Sequence, residues 1–159
     1  VHNTIAQLLE QVFNFLWKYP RVQDHHKANR FDRDWRNHPR INVHETVDCD
    51  GEAVLNVASG SITMGEYSFL GQRCMLIAGT HDIAKKGKLR KDGVIETGYD
   101  ITIGKGVFIG AGSIVLGPCR IGDHAVIGAG SVVPAGEYEG GCIYAGNPAV
   151  FKKRITFTE

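Results

Sequence analysis

Histidine is the side chain whose charge changes nearest neutral pH, so it is the first place to look for proton-transfer chemistry. The chain carries seven, and one is set apart by its position. His81 closes the stretch MLIAGTH (75–81), where an apolar pattern stops and a basic, glycine-containing segment begins. His25, His26 and His38 stand among Arg, Asp and Asn and read as solvated, while His44 and His124 read as residues of outer faces. Two basic groups could meet anions: Lys85, Lys86, Lys88, Arg90 and Lys91 just after His81, and Lys152, Lys153 and Arg154 further on. Each also has a plain reading as solvated surface. The cysteines Cys49, Cys74, Cys119 and Cys142 lack the C-x-x-C spacing that metal and redox sites use.

What holds such residues in place follows from a period. Residues 103–133 read IGKGVFIGAGSIVLGPCRIGDHAVIGAGSVV. Ile103, Ile109, Val115, Ile121, Ile127 and Val133 stand at unbroken six-residue intervals, and Gly104, Gly110, Gly122 and Gly128 follow four of them. In a helix, six residues advance about 600°, so successive anchors fall about 240° apart and form no stripe. In extended chain six is even, and all the anchors face one side. The positions two before them, Ile101, Val107, Ser113, Cys119, Ala125 and Ser131, face the same side and are mostly small, which suits a bend.

One large inward residue, one small inward residue and one glycine-prone corner per six residues describe a flat face and a corner. Three faces close a triangular coil of about 18 residues, the hexapeptide repeat of a parallel β-helix. A glycine-rich β-sandwich is the alternative, and six anchors in register count against it. The register recurs at Met64, Leu70 and Leu76, with Ile62, Ser68 and Cys74 inward. Cys74 and Cys119 are therefore expected to fill corners and not to act as reactive thiols. Leu76 and Ile103 lie 27 residues apart, which is not a multiple of six, so an excursion leaves the coil between them and returns.

Around this core, residues 3–18 read as an amphipathic helix. Ile5, Leu8, Leu9, Val12, Phe13, Leu16 and Trp17 share a face, Asn3 is the N-cap and Pro20 the stop. The expected organisation is a helix and linker over 1–40 capping the solenoid, a β-helix over 41–135 with an excursion loop at 82–100, and a tail over 136–159. Residues 41–58 alternate loosely and predict an irregular first coil. At 159 residues, 43% hydrophobic and 22% charged, the chain has the size and balance of one soluble domain. A net charge of +1 gives no general argument for nucleic acid. No apolar run approaches 18 residues, which excludes a helical membrane span, and the charged N-terminal stretch is unlike a signal peptide. The reading is a cytoplasmic protein with reduced thiols.

Four segments together carry a resemblance: GSITMGEYSFLGQRCMLIAGTHD (60–82), GYDITIGKGVFIGAGSIVLG (98–117), IGDHAVIGAGSVV (121–133) and AGNPAVFKKRI (145–155). This order of repeat, Thr80-His81, excursion, and Gly-x-Pro-Ala followed by basic residues resembles the left-handed β-helix acyltransferases. The likeness is greatest to the galactoside/maltose and polysaccharide O-acetyltransferase group. The left hand of the coil comes with the resemblance. So does the expected activity, acetyl-CoA-dependent O-acetylation of a sugar hydroxyl on a surface polysaccharide or small glycan, by a homotrimer. An amino-sugar N-acetyltransferase and a non-catalytic assembly module are the alternatives.

The resemblance also implies roles. His81 becomes the general base, with Glu96 in the excursion orienting it or binding the acceptor. Asp82 adjoins the base, but neighbours in extended chain point apart. Asn56 and Tyr99, with Tyr67, are acceptor candidates. Gly110, Ala111, Gly128, Ala129 and Gly130 would floor a thin pantetheine groove with small residues and free amides, beside Phe108. Lys152, Lys153 and Arg154 would meet the coenzyme's phosphates. Ala111 and Pro134 replace the Ser or Thr that the family often has, leaving backbone contacts. A zinc site like that of the hexapeptide-repeat carbonic anhydrases needs three imidazoles, and only His124 lies in the regular coils, so no metal is expected.

Overall fold

A computed structural model describes residues 38–49 and 52–158. They belong to one compact unit, Phe31–Glu159. The helix expected at 3–18 and most of its linker lie outside the described residues.

The described chain winds through three parallel sheets in rotation. The first sheet holds β1 (Ile41–Val43), β4 (Ile62–Met64), β7 (Ile101–Ile103), β10 (Cys119–Ile121) and β13 (Gly136–Tyr138). The second holds β2 (Asp48–Cys49), β5 (Phe69–Leu70), β8 (Phe108–Ile109), β11 (Val126–Ile127) and β14 (Cys142–Ala145), with β15 (Val150–Arg154) added antiparallel to β14. The third holds β3 (Val54–Asn56), β6 (Met75–Ile77), β9 (Ile114–Leu116) and β12 (Val132–Val133).

The six-residue anchors stack as the period requires. Met64, Ile103 and Ile121 are partners in the first sheet, Leu70, Ile109 and Ile127 in the second, and Leu76, Val115 and Val133 in the third. All nine are buried. Burying each aliphatic side chain stabilises the coil by roughly 1.5–3 kcal/mol, so the column supplies the core. The small inward positions are buried too, and their polar atoms are satisfied at the corners. Ser68 Oγ donates to the Gly104 carbonyl at 2.6 Å and accepts from the Val107 amide at 3.0 Å. Ser113 Oγ donates to the Gly128 carbonyl at 3.0 Å. Cys74 Sγ lies 3.2 Å from the Gly110 carbonyl, and burial pushes the Cys119 thiol up to about 12, so both are inert corner fillers as expected.

Three expectations change. The first coil is not irregular in its strands: Val43, Cys49 and Leu55 pair in register with Met64, Leu70 and Leu76. The excursion is not all loop, because Gly87–Asp92 forms a short helix, α1. The segment after 135 also joins the sheets, with β13 beneath β10 and β14 beneath β11.

Departures from the period gather at one place, the edge between the third and first sheets. Leu55 to Met64 spans nine residues where six would suffice, and Leu76 to Ile103 spans 27. The other two edges keep the hexad between successive partners in the coils from β1 to β12. One edge of the prism is thus built out, and it is the edge that carries His81.

Candidate active site

The excursion leaves the third sheet at Ala78 and rejoins the first at Ile101, and its two legs are bonded to each other. The Asp82 amide donates to the Gly93 carbonyl at 2.8 Å and the Ile95 amide to the Thr80 carbonyl at 3.2 Å, with His81 opposite Val94 in an antiparallel bridge. Corner residues 57–61 brace both legs. The Ser59 hydroxyl accepts from the Thr80 amide at 3.0 Å, and its carbonyl accepts from the Tyr99 amide at 3.1 Å. Asp100 Oδ1 accepts from the Ser61 amide and hydroxyl, both at 2.7 Å, and the Ser61 hydroxyl is the main cause holding this carboxyl below its usual range. Arg40 Nη1 reaches the carbonyls of Val57, Ala58 and Glu96 at 3.2–3.4 Å.

His81 is exposed on this base, and its Nδ1 stands 3.0 Å from the Arg90 carbonyl oxygen at the end of α1. A carbonyl can only accept, so Nδ1 carries the hydrogen and donates it. The neutral ring then has its lone pair on Nε2, the form a general base requires. Arg90 holds the loop as well as the ring: its Nε donates to the Lys85 carbonyl at 2.7 Å and its Nη2 to the Ile83 carbonyl at 3.0 Å. The basic cluster is therefore not a uniform solvated patch. Lys85 pairs with Asp82 at 3.5 Å, Lys88 pairs with Asp92, and Arg90 is committed to backbone. Asp82 turns to the loop, capping the Ala84 amide at 3.0 Å.

The other expected site residues are spread over the fold. Glu96 lies on the returning leg with an exposed side chain, and the partner of the imidazole Nδ1 is the Arg90 carbonyl, not this carboxylate. Asn56 lies at the end of β3, where its Oδ1 accepts from the Ala58 amide at 2.9 Å. Tyr99 is half-buried on the returning leg.

Phe108 is on the outer face of the second sheet, its ring stacked on Phe69 at 4.5 Å. Gly110, Ala111, Gly128 and Ala129 line the edge between the second and third sheets, with both alanines exposed. The glycine amides expected to be free there are not: Gly110, Gly128 and Gly130 donate to the Ile127, Tyr144 and Ala111 carbonyls at 2.8 Å, because coil stacking takes them. Lys152, Lys153 and Arg154 lie on β15, which runs from that edge toward the opposite one, where Arg154 is held by Glu139 at 2.9 Å. Within one chain, His81 and the Ala111–Ala129 edge are separated by the width of the third sheet.

The sequence and fold match known proteins. The family described as bacterial transferase hexapeptide (six repeats) matches residues 100–135. A maltose O-acetyltransferase structure from Clostridium difficile is 30% identical, with a TM-score of 0.54, over 75% of this chain and 68% of that one. This chain belongs to the hexapeptide-repeat acyltransferases. Its coil is the left-handed β-helix of that family. Galactoside O-acetyltransferase of Lactococcus lactis is 33% identical over 94 residues, 59% of this chain and 44% of that one. A galactoside acetyltransferase in complex with coenzyme A shares the fold at 23% identity, with a TM-score of 0.55, over 73% of this chain and 64% of that one. This hexapeptide-repeat chain spans less than half the length of the curated relatives it matches.

Among the described residues there is no cluster of three His, Cys, Asp or Glu side chains that could hold a metal ion, and no helix is long and apolar enough to cross a membrane. Sequence reasoning missed Ser59, Asp100 and Arg40 as the bracing of this acyltransferase corner. The available signal was the nine-residue interval from Leu55 to Met64, which marks a corner larger than a bend needs.

Proposed function

We propose that this chain is an acetyl-CoA-dependent O-acetyltransferase acting on a sugar hydroxyl of a surface polysaccharide or small glycan, with His81 as general base. The observation that carries this reading is the fixed imidazole: Nδ1–H is given to the Arg90 carbonyl, and Nε2 is left to receive a proton. In the reaction, Nε2 takes the acceptor's hydroxyl proton as the oxygen attacks the thioester carbonyl. The tetrahedral intermediate collapses with cleavage of the C–S bond, and the imidazolium returns the proton to the departing thiolate. The products are the acetyl ester and free coenzyme A.

The small-residue edge supports a thin, extended donor. A side chain at Gly112 or Gly130 would meet nothing within 4 Å, so the strip beside Ala111 and Ala129 is open along the coil axis. Phe108 stands nearby, and Lys152 and Lys153 are exposed on β15 to face phosphates. Because His81 and this strip occupy different edges, the reading takes the site to be shared between two copies in a closed homotrimer. Asn56 and Tyr99, near the His81 corner, are the acceptor-binding candidates.

The test is release of free thiol from acetyl-CoA across a panel of sugars, with wild-type chain and His81→Ala. Losing general-base help should lower kcat by roughly 10²–10⁴-fold with the fold intact. Full activity in the variant would overturn the assignment. Activity confined to amino sugars and surviving His81→Ala would favour the N-acetyltransferase.

A further inference from the structure

We propose that Ser59 is a positioning residue for His81, and that the three residues added to the first coil exist to seat it. This rests on His81 being the base.

Ser59 is fully buried, and its polar groups all go to the two legs of the excursion. Its amide donates to the Ala78 carbonyl at 2.8 Å. Its hydroxyl accepts from the Thr80 amide at 3.0 Å and donates to the Thr80 carbonyl at 3.3 Å. Its own carbonyl accepts from the Tyr99 amide at 3.1 Å. Thr80 immediately precedes His81, and its carbonyl also takes the Ile95 amide at 3.2 Å. One buried residue therefore fixes the backbone before the imidazole and the strand that returns beside it.

The corner does not need this residue in order to turn. Between β9 and β10 the same edge turns through Gly117 and Pro118 alone and keeps the hexad from Val115 to Ile121. The lengthened corner at 57–61 appears on the coil that lies against the outgoing leg, and Ser59 and Ser61 within it bond to Thr80 and Asp100 on the two legs. A hydroxyl suits the Ser59 position because it serves an N–H and a C=O together, which no apolar side chain can do. Without it the half-buried Thr80 amide loses its partner, and the backbone shifts to find another.

The imidazole would follow that movement. Its Nδ1–H···O bond to Arg90 is geometric, and the ring sits one residue from the released amide. A misplacement of about 1 Å in a catalytic group costs about 10²-fold in rate.

The experiment uses the full chain with Ser59→Ala and Ser59→Cys. It measures the ¹⁵N shifts of the His81 imidazole, kcat and KM for acetyl-CoA, and thermal melting. In the wild type, neutral His81 should show a protonated Nδ1. Ser59→Ala should shift the ring toward a mixture with the Nε2–H tautomer and lower kcat by roughly 10–100-fold, leaving KM for acetyl-CoA within about twofold. Ser59→Cys, with a similar shape and a weaker hydrogen bond, should fall between, and it decides the question if Ser59→Ala does not fold. Folded variants with unchanged ¹⁵N shifts and unchanged kcat would overturn the proposal. Full turnover by His81→Ala would instead sink the base assignment, and the ¹⁵N shifts would still decide whether Ser59 places the ring.

Discussion

Replacing Gly60 by Ala tests whether the build of this corner controls the chemistry. A Cβ on Gly60 would stand 2.5 Å from the Tyr99 carbonyl carbon, 2.7 Å from the Asp100 amide nitrogen and 2.8 Å from the Tyr99 oxygen. All three are backbone atoms, so no side chain can swing aside. Non-bonded carbons prefer about 3.5–4.0 Å, and the returning leg must therefore yield by about 1 Å. It has little room, because Gly117 presses on the same Tyr99 carbonyl from the next corner of that edge. Overpacking of this kind costs about 1–3 kcal/mol. In a domain of this size that lowers Tm by roughly 2–12 °C. Displacing the leg also displaces the bracing of Thr80 and His81, which should lower kcat by about 10²-fold. Gly122→Ala is the control: its Cβ would lie 2.5 Å from the Gly140 amide nitrogen, the same nearest backbone approach, on the edge between the first and second sheets. Thermal melting and thiol release would be measured for both. If the two variants lose similar Tm and Gly60→Ala loses no more kcat than Gly122→Ala, the link from corner to imidazole is refuted.

Two more outcomes are expected. Lys152→Ala and Lys153→Ala should each raise KM for acetyl-CoA by up to about tenfold, the effect weakening with added salt, because a charge-assisted hydrogen bond is worth about 1.5 kcal/mol or more. Arg154→Ala should do little, since Glu139 already holds that guanidinium; equal effects at all three positions would argue against the lysine assignment. Burial pushes the Cys119 thiol up to about 12, so the folded chain keeps a proton that the unfolded chain releases near pH 8.5. The stabilisation is complete below about pH 8.5 and is lost as pH rises toward 12, so Tm should fall across the alkaline range. Cys119→Ala should flatten that slope, and an unchanged slope would show that the thiol does not contribute.

The coil was legible because its rule is local: six residues turn one corner, and a large inward side chain must return each time. Ile103 to Val133 states that rule without interruption, so sheets, register and core could be read from it. Residues 41–58 looked irregular because their outward positions, such as Asn42 and Asp48, hide the inward series of Val43, Cys49 and Leu55. The candidate base was legible for the same local reason, since His81 follows the last anchored strand before the period breaks. Its partner was not. The residue facing Nδ1 contributes a main-chain carbonyl, and a carbonyl has no signature in the sequence, whereas Glu96 has a carboxylate that attracts attention. The corner amides misled in the same way: glycine signals tight approach, and tight approach between coils is what takes up the amides at Gly110, Gly128 and Gly130.

A stacked coil cannot lengthen two of its edges without breaking the pairing of successive strands, because each corner glycine lies against the next coil: Gly65 against Gly104, Gly71 against Ala111, Gly110 against Ala129. Insertion is tolerated where the added chain supplies its own partners. At the third–first edge it does so, through Ser59, Ser61 and Arg40 on one side and Thr80, Glu96, Tyr99 and Asp100 on the other. The prism keeps the stacked register, and the built-out edge carries an exposed tip outside it. In this chain that tip carries Ile83 and Leu89 exposed beside Lys86 and Lys91, while the imidazole sits at its braced foot. Because the Arg90 carbonyl of α1 holds the ring, changes in α1 as well as at the foot should alter how fast it reacts.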